Sequence, residues 1–245
     1  MRRIKNIGVL GSGVMGSGIA CHFANAGFHV VMLDMASDGN TPQARSIIAS
    51  TALDKAVKSS PAPLYSKDFK SRIKVGNFED DLNLLKNCDW ILEVVKEDIA
   101  IKRIIFEKVE TVRKPGTLIT SNTSGIPIKM MAEGRSEDFN RHFCGTHFFN
   151  PPRYLALLEI IPGPSTSSEV IEFLMGFGKN YLGKQTVLAK DTPAFIANRI
   201  GVYSMGKTFE LAKELGLTIQ SVDKLTGAAI ARPNTGTFRL GDLVG

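Results

Sequence analysis

The segment KNIGVLGSGVMGSG, residues 5–18, decides the fold of this chain. Its first half is a short apolar run typical of a β-strand, and glycines follow at Gly11, Gly13 and Gly16. Apolar residues then recur at helical spacing, and HVVMLD, residues 29–34, predicts a second strand. Strand, tight turn, helix and strand, in this order, are the unit that builds a parallel sheet.

Further short apolar runs along the chain also predict strands. They are Ile73–Val75, Trp90–Val94, Thr117–Thr120, Gly145–Phe149, Ala156–Ile161 and Thr186–Ala189. Strands that alternate with helical segments predict an α/β protein with a Rossmann-type, doubly wound and mostly parallel sheet.

Two regions depart from this alternation. Residues 41–72 form a long insertion, which predicts two helices projecting from the sheet, and its lysines form either a solvated helix face or a phosphate-binding surface. Beyond Asp191 the pattern becomes helical, with long periodic stretches at Phe195–Leu215 and Ile219–Ala229 and no strand between them. The sequence therefore predicts a sheet domain over 1–191 and part of an all-helical domain over 192–245.

The composition excludes several classes of protein. No apolar run reaches the roughly 18 residues that span a bilayer, and the N-terminal residues carry no secretory pattern, so a cytosolic protein is expected. Cys21, Cys88 and Cys144 have neither disulfide nor metal-ligand spacing, so we expect buried thiols and no metal site. The net charge of +6 is spread along the chain, which disfavours nucleic-acid binding.

The glycine turn itself predicts a dinucleotide site. Residues 11–16, GSGVMG, fit G-x-G-x-x-G between a strand and a helix, the context that gives this pattern meaning. The first glycine permits the turn, the second lets the backbone approach a pyrophosphate, and the third lets the helix pack on the strand. The N–H groups of Val14 and Met15, at the start of the helix, face the phosphates with a partial positive charge.

Asp34 predicts which dinucleotide binds. It ends the second strand eighteen residues after Gly16, where a carboxylate accepts hydrogen bonds from the adenosine ribose hydroxyls and repels a 2′-phosphate. NAD is therefore expected rather than NADP. The alternative is that Asp34 caps a loop.

Oxidation of an alcohol needs a base for the hydroxyl proton, and His147 is the best placed histidine. It lies in GTHFFNP, residues 145–151, at the end of a predicted strand. A lone histidine at such a position is as often structural as catalytic, so spacing alone leaves both interpretations open.

From its first strand onward the chain resembles the 3-hydroxyacyl-CoA dehydrogenase family. The matching segments are GSGVMG at 11–16, Glu97 with Lys102, SNTS at 121–124, HFFNP at 147–151, Glu159, and DTPAFIANR at 191–199. The resemblance implies NAD-dependent oxidation of a 3-hydroxyacyl-CoA to the 3-oxoacyl-CoA in fatty-acid β-oxidation.

The resemblance also implies roles for individual residues. His147 would be the general base, oriented by Glu159 twelve positions later, while Ser124 and Asn198 would complete the catalytic site. Glu97, Lys102 and Asn122 match family positions that line the nicotinamide and acyl-CoA cleft. The alternatives are that Glu97 and Lys102 form a surface helix pair, and that Ser124 caps a helix ahead of Pro127.

The end of the chain departs from the family's usual pattern. The family's helical domain has about 100 residues, an ordinary domain size, and this chain supplies about half of that. Residues 232–245 are similar to multidomain members in which a dehydrogenase precedes an enoyl-CoA hydratase, so we expect an N-terminal part of such a protein. Apolar residues along Phe195–Leu215 then predict a homodimer or contact with a missing C-terminal region.

Two other functions stay open at this point. One is an NAD-binding or structural module without catalysis. The other is a dehydrogenase of a short 3-hydroxy acid, although those enzymes carry a lysine and an asparagine at i and i+4, and here Lys207 is followed by Leu211.

Overall fold

The computed structural model describes residues 2–232 and 234–244. It divides into two compact units, Met1–Phe195 and Ile196–Gly245. The sequence places a boundary after Asp191, and in the structure the chain divides four residues further on. Pro233 and Gly245, which belong to the stretch compared with multidomain proteins, lie outside the described residues.

The first unit is built on one eight-stranded sheet. Its strands are β1 (Asn6–Leu10), β2 (His29–Asp34), β3 (Ile73–Asn77), β4 (Trp90–Glu93), β5 (Leu118–Ser121), β6 (Phe143–Phe148), β7 (Leu157–Pro162) and β8 (Gln185–Leu188). Their order is β3-β2-β1-β4-β5-β6-β7-β8, and every neighbouring pair is parallel except β6 and β7. The predicted Rossmann-type, mostly parallel sheet is confirmed.

Helices cover both faces of this sheet. They are α1 (Val14–Asn25), α2 (Pro42–Arg45), α3 (Ile47–Val57), α4 (Ile99–Val112), α5 (Ile128–Ala132), α6 (Glu137–Arg141) and α7 (Ser168–Tyr181). Successive residues of β1 point to opposite faces, so Val9 joins the core under α1 and α7 whereas Leu10 joins the core under α4. Burial on both faces explains why the central strands read as continuous apolar runs.

The insertion between β2 and β3 contains two helices, α2 and α3, as predicted, but α3 packs on the sheet domain rather than projecting from it. Ala49 and Leu53, four residues apart on α3, are buried in the core beside α1. The Asn25 side chain binds the loop that follows α3, because its amide donates to the Pro63 carbonyl and accepts from the Tyr65 N–H. Burying one apolar face of α3 accounts for the difference from the prediction.

The second unit contains α8 (Ala197–Glu214), α9 (Ile219–Thr226) and α10 (Gly236–Val244). The two long helical stretches correspond to α8 and α9, whereas α10 was not predicted. Asp223 caps α10 by accepting hydrogen bonds from the N–H groups of Phe238 and Arg239, and the rings of Phe209 and Phe238 pack with their centroids 4.6 Å apart. Among the described residues, no helix has the length and apolar character needed to cross a bilayer.

Candidate active site

A cleft of about 900 Å³ opens at the carboxyl ends of β1, β2 and β4. This is where the strand order reverses, the usual ligand position in an open α/β sheet. Eight of the nine predicted cofactor residues line it: Gly11, Gly13, Val14, Met15, Asp34, Glu97, Lys102 and Asn122. Ser124, predicted as catalytic, also lines this cleft.

The surroundings of the three glycines of the turn differ in whether they leave room for a side chain. Gly11 has φ +104°, and a Cβ there would lie 2.6 Å from the Val94 carbonyl oxygen. A Cβ on Gly16, which does not line the cleft, would lie 2.0 Å from the Gly11 carbonyl oxygen, so its role is the packing of α1 on β1. A Cβ on Gly13 would meet no atom within 4 Å.

The open space beside Gly13 is what a dinucleotide requires. Gly13 is the N-cap of α1 and no side chain caps this helix, so the first N–H groups of α1, at residues that line the cleft, have no side-chain acceptor. A pyrophosphate fits such a helix start, because its oxygens accept from these N–H groups and its charge suits the helix dipole. The residues present therefore fit NAD.

Asp34 accepts hydrogen bonds at both carboxylate oxygens. Its Oδ2 accepts from the Ser12 N–H at 2.6 Å and the Ser12 hydroxyl at 2.5 Å, and its Oδ1 accepts from the Met35 N–H at 2.7 Å. The side chain thus holds the glycine turn in place and also lines the cleft. The prediction that Asp34 binds the ribose and the alternative that it caps a loop are therefore compatible.

Glu97 and Lys102 are not a surface helix pair. Lys102 is only 1% exposed, and its Nζ lies 2.7 Å from Glu93 Oε1 and 3.1 Å from Glu97 Oε2. Burial raises the pKa of Glu97, but the Thr123 hydroxyl and the Lys102 charge outweigh it and hold that pKa below its usual range. Glu93 was not among the predicted site residues, although a carboxylate in the otherwise apolar strand WILE is a signal for such a site.

His147 and Glu159 form a buried pair. They are directly opposite residues of the antiparallel strands β6 and β7, and His147 Nδ1 lies 2.8 Å from Glu159 Oε2. His147 is 3% exposed and Glu159 is fully buried. The strand end that carries His147 is tied to the cleft, because the Phe148 N–H donates to Asn122 Oδ1 at 2.8 Å.

Two aromatic rings hold the His147 imidazole. The centroid of Phe149 lies 4.4 Å from it and that of Phe195 lies 5.6 Å from it, both edge to face. Phe195 and its neighbour Ala194 have φ of +48° and +62°, a conformation that costs a non-glycine residue about 1–2 kcal/mol. Phe195 was not among the predicted site residues, although it lies within the DTPAFIANR match.

The remaining predicted catalytic residues are Ser124 and Asn198. Ser124 does not cap α5, whose N-cap is Pro127; the N–H groups that open this helix donate to Asp191 instead. The Ser124 N–H donates to Glu97 Oε1 at 2.9 Å. Asn198 belongs to the second unit and lies near the start of α8.

A second groove of about 490 Å³ adjoins the glycine turn on its other side. Lys55 from α3 and Arg153 and Tyr154 from the β6–β7 connection contribute to its walls. The Lys184 ammonium, which is buried, donates to the carbonyls of Pro152 and Leu155 and holds this connection in place. Lys55 and Arg153 make the groove basic, and Gly13 lines both this groove and the first cleft.

Comparison with known proteins gives consistent results. A sequence profile described as "3-hydroxyacyl-CoA dehydrogenase, NAD binding domain" matches residues 6–192. A probable 3-hydroxyacyl-CoA dehydrogenase of Bacillus subtilis is 48% identical over 100% of this chain, which spans 32% of that protein's length. A probable 3-hydroxyacyl-CoA dehydrogenase of Deinococcus radiodurans is 46% identical over 99% of this chain and 70% of its own length.

Solved structures resemble the chain as well. The (S)-3-hydroxybutyryl-CoA dehydrogenase PaaH1 from Ralstonia eutropha superposes with a TM-score of 0.79 at 29% identity, covering 99% of this chain and 83% of that one. FadB2 from M. tuberculosis superposes with a TM-score of 0.80 at 31% identity and the same coverage.

Proposed function

Because the chain belongs to the 3-hydroxyacyl-CoA dehydrogenase family, we propose that it oxidises a 3-hydroxyacyl-CoA to the 3-oxoacyl-CoA with NAD, as a step of fatty-acid β-oxidation. The observation that carries this proposal is the buried pair of His147 and Glu159 at a strand end tied to the dinucleotide cleft. A histidine oriented by a carboxylate can act as the base that alcohol oxidation needs.

The cofactor residues divide along the cleft. Gly11 and Gly13 would face the pyrophosphate, Asp34 the adenosine ribose, and Glu97 and Lys102 the nicotinamide half. Bound NAD supplies the hydride acceptor for the oxidation.

His147 receives the hydroxyl proton of the substrate in this proposal. Glu159 Oε2 accepts from Nδ1, which places the imidazole proton there and leaves Nε2 with a free lone pair. The substrate's 3-hydroxyl O–H bond breaks as the proton passes to Nε2, and the carboxylate stabilises the resulting imidazolium. Ser124 would donate a hydrogen bond to the substrate oxygen.

The basic groove beside Gly13 suits the CoA part of the substrate. CoA carries phosphates, and Lys55 supplies a cation in the groove wall. The two cavities adjoin at the glycine turn, so a dinucleotide in one and a CoA thioester in the other would lie next to each other.

The other functions considered above have less support. The intact His147–Glu159 pair argues against a module without catalysis, since an ionisable pair taken out of water is costly to keep. A groove of about 490 Å³ with Lys55 in its wall has room for the phosphate-bearing part of a CoA thioester, which a short free acid lacks.

NADH formation with 3-hydroxybutyryl-CoA, and with free 3-hydroxybutyrate for comparison, tests the proposal. His147→Gln should lower turnover by about 10²- to 10⁴-fold, the scale of general acid–base catalysis, while NADH binding persists. Glu159→Gln should be similarly severe because it removes the carboxylate that orients the imidazole. Full activity of the His147 variant would refute the assignment, and preference for the free acid would favour the short-acid dehydrogenase.

A further inference from the structure

A buried carboxylate lies beneath the nicotinamide end of the cleft. Glu93 is the last residue of β4 and is fully buried, as are the other three residues of that strand. Its Oε1 accepts from Lys102 Nζ and from the Val95 N–H, each at 2.7 Å, and its Oε2 accepts from the Ser121 hydroxyl. Both oxygens of this carboxylate thus have protein donors, and Glu93 does not line the cleft.

Lys102 connects Glu93 to the wall of the cleft. Its ammonium lies between the two carboxylates, at 2.7 Å from Glu93 and 3.1 Å from Glu97. Glu97 Oε1 in turn accepts from the Thr123 hydroxyl and from the N–H groups of Ser124 and Gly125. A continuous series of hydrogen bonds therefore runs from Glu93 to the turn that carries Ser124.

We propose that Glu93 is a positioning residue for dinucleotide binding: it anchors the Lys102 ammonium on the floor of the cleft, so that Glu97 stays bound to the Thr123–Gly125 turn. This inference rests on the proposed function. An ion pair taken out of water is weak support for stability, since well-packed apolar residues of similar volume do as well or better. The pair is therefore better explained by the geometry that it imposes on Glu97 and Lys102, which line the cleft.

The charges indicate what happens when Glu93 is neutralised. Glu93 and Glu97 both contact the one Lys102 ammonium in the native arrangement, and the Lys102 charge opposes the rise that burial causes in the pKa of Glu93. With Glu93→Gln, Lys102 is attracted to Glu97 alone, which draws Glu97 away from its three donors on the turn. Since Glu97 and Lys102 both line the cleft, the dissociation constant of NADH should rise about tenfold, within the range measured for contacting residues of one network.

A double-mutant cycle separates positioning from a general loss of stability. NADH binding to the whole chain is measured by fluorescence titration for the parent, Glu93→Gln, Lys102→Gln and the double variant. If Glu93 acts through Lys102, Glu93→Gln should change the dissociation constant about tenfold in the parent and less than twofold in the Lys102→Gln background. Thr146→Val is the matched control, because Thr146 is equally buried and its hydroxyl bonds only to Thr120 among the described contacts, away from the cleft.

The control should lower the melting temperature without changing NADH binding. Unchanged NADH binding in Glu93→Gln, or equal effects of Glu93→Gln in both backgrounds, would overturn the inference. A parent that binds NADH but oxidises no 3-hydroxyacyl-CoA would contradict the proposed function and leave the role of Glu93 standing. A parent that does not bind NADH would overturn both.

Discussion

Gly13 offers a sharp test of the dinucleotide site, because nothing in the folded chain requires a glycine there. Its φ of −56° and ψ of −174° are open to any residue, and a Cβ would meet no atom within 4 Å. Gly13→Ala should therefore change the free energy of unfolding by no more than about 1 kcal/mol, the scale of an N-cap substitution.

The same methyl group would stand where a pyrophosphate approaches the start of α1. Loss of one hydrogen bond to a charged group costs about 1.5–3 kcal/mol. Since about 1.4 kcal/mol corresponds to a tenfold change in affinity, the dissociation constant of NADH should rise about 10- to 100-fold. Fluorescence titration with NADH, beside urea unfolding of the same variant, measures both effects.

Two further glycines provide the controls. Gly16→Ala should destabilise the protein, because its Cβ would lie 2.0 Å from the Gly11 carbonyl oxygen. Gly176→Ala, in the open middle of α7, should stabilise the protein by about 0.5–1 kcal/mol and leave NADH binding unchanged. If Gly13→Ala bound NADH as tightly as the parent, the assignment of this turn to the pyrophosphate would be wrong.

NAD should bind more tightly than NADP, and Asp34→Ala should reduce this difference in affinity. Equal affinities of the unmodified chain for NAD and NADP would contradict the role of Asp34. Burial and the nearby Lys184 lower the pKa of His22 to about 4, so the unfolded chain binds more protons than the native state between about pH 4 and 6.5. The free energy of unfolding should therefore fall by about 3 kcal/mol as the pH drops through that window. Urea unfolding of His22→Gln should not show this fall, and identical pH profiles of the parent and the variant would contradict the role of His22. Apolar side chains of α8, among them Ile200 and Tyr203, are exposed, so the chain should self-associate, and sedimentation that detects only monomer at every concentration would contradict it.

Local pattern was enough to predict the sheet and the position of the cofactor turn. The strand, glycine turn, helix and strand of residues 5–34 carry their own signals, because the period of apolar residues and the glycine spacing act over a few neighbouring positions. The same argument placed Asp34 at the edge of the cleft, since a residue that ends β2 must lie at the carboxyl edge of a parallel sheet.

The resemblance to a family, rather than periodicity, connected His147 with Glu159. The physical reason for their twelve-residue spacing is the reversal of β7, which places the two residues directly opposite each other on antiparallel strands. A register of this kind depends on which strands pair, and the sequence patterns of β6 and β7 do not specify their relative direction.

Only the tertiary structure identified Glu93 and Lys102 as a buried pair. It also showed that Gly13, unlike Gly11 and Gly16, has no packing role in the glycine turn. Lys102 has the pattern of an exposed helix residue, yet it is 1% exposed because α4 packs its side chain over the end of β4. The burial of α3 against α1 was also decided at this level. Local sequence determines which segments form helices and strands, whereas burial, ion pairing and open space depend on residues that meet only when distant segments pack together.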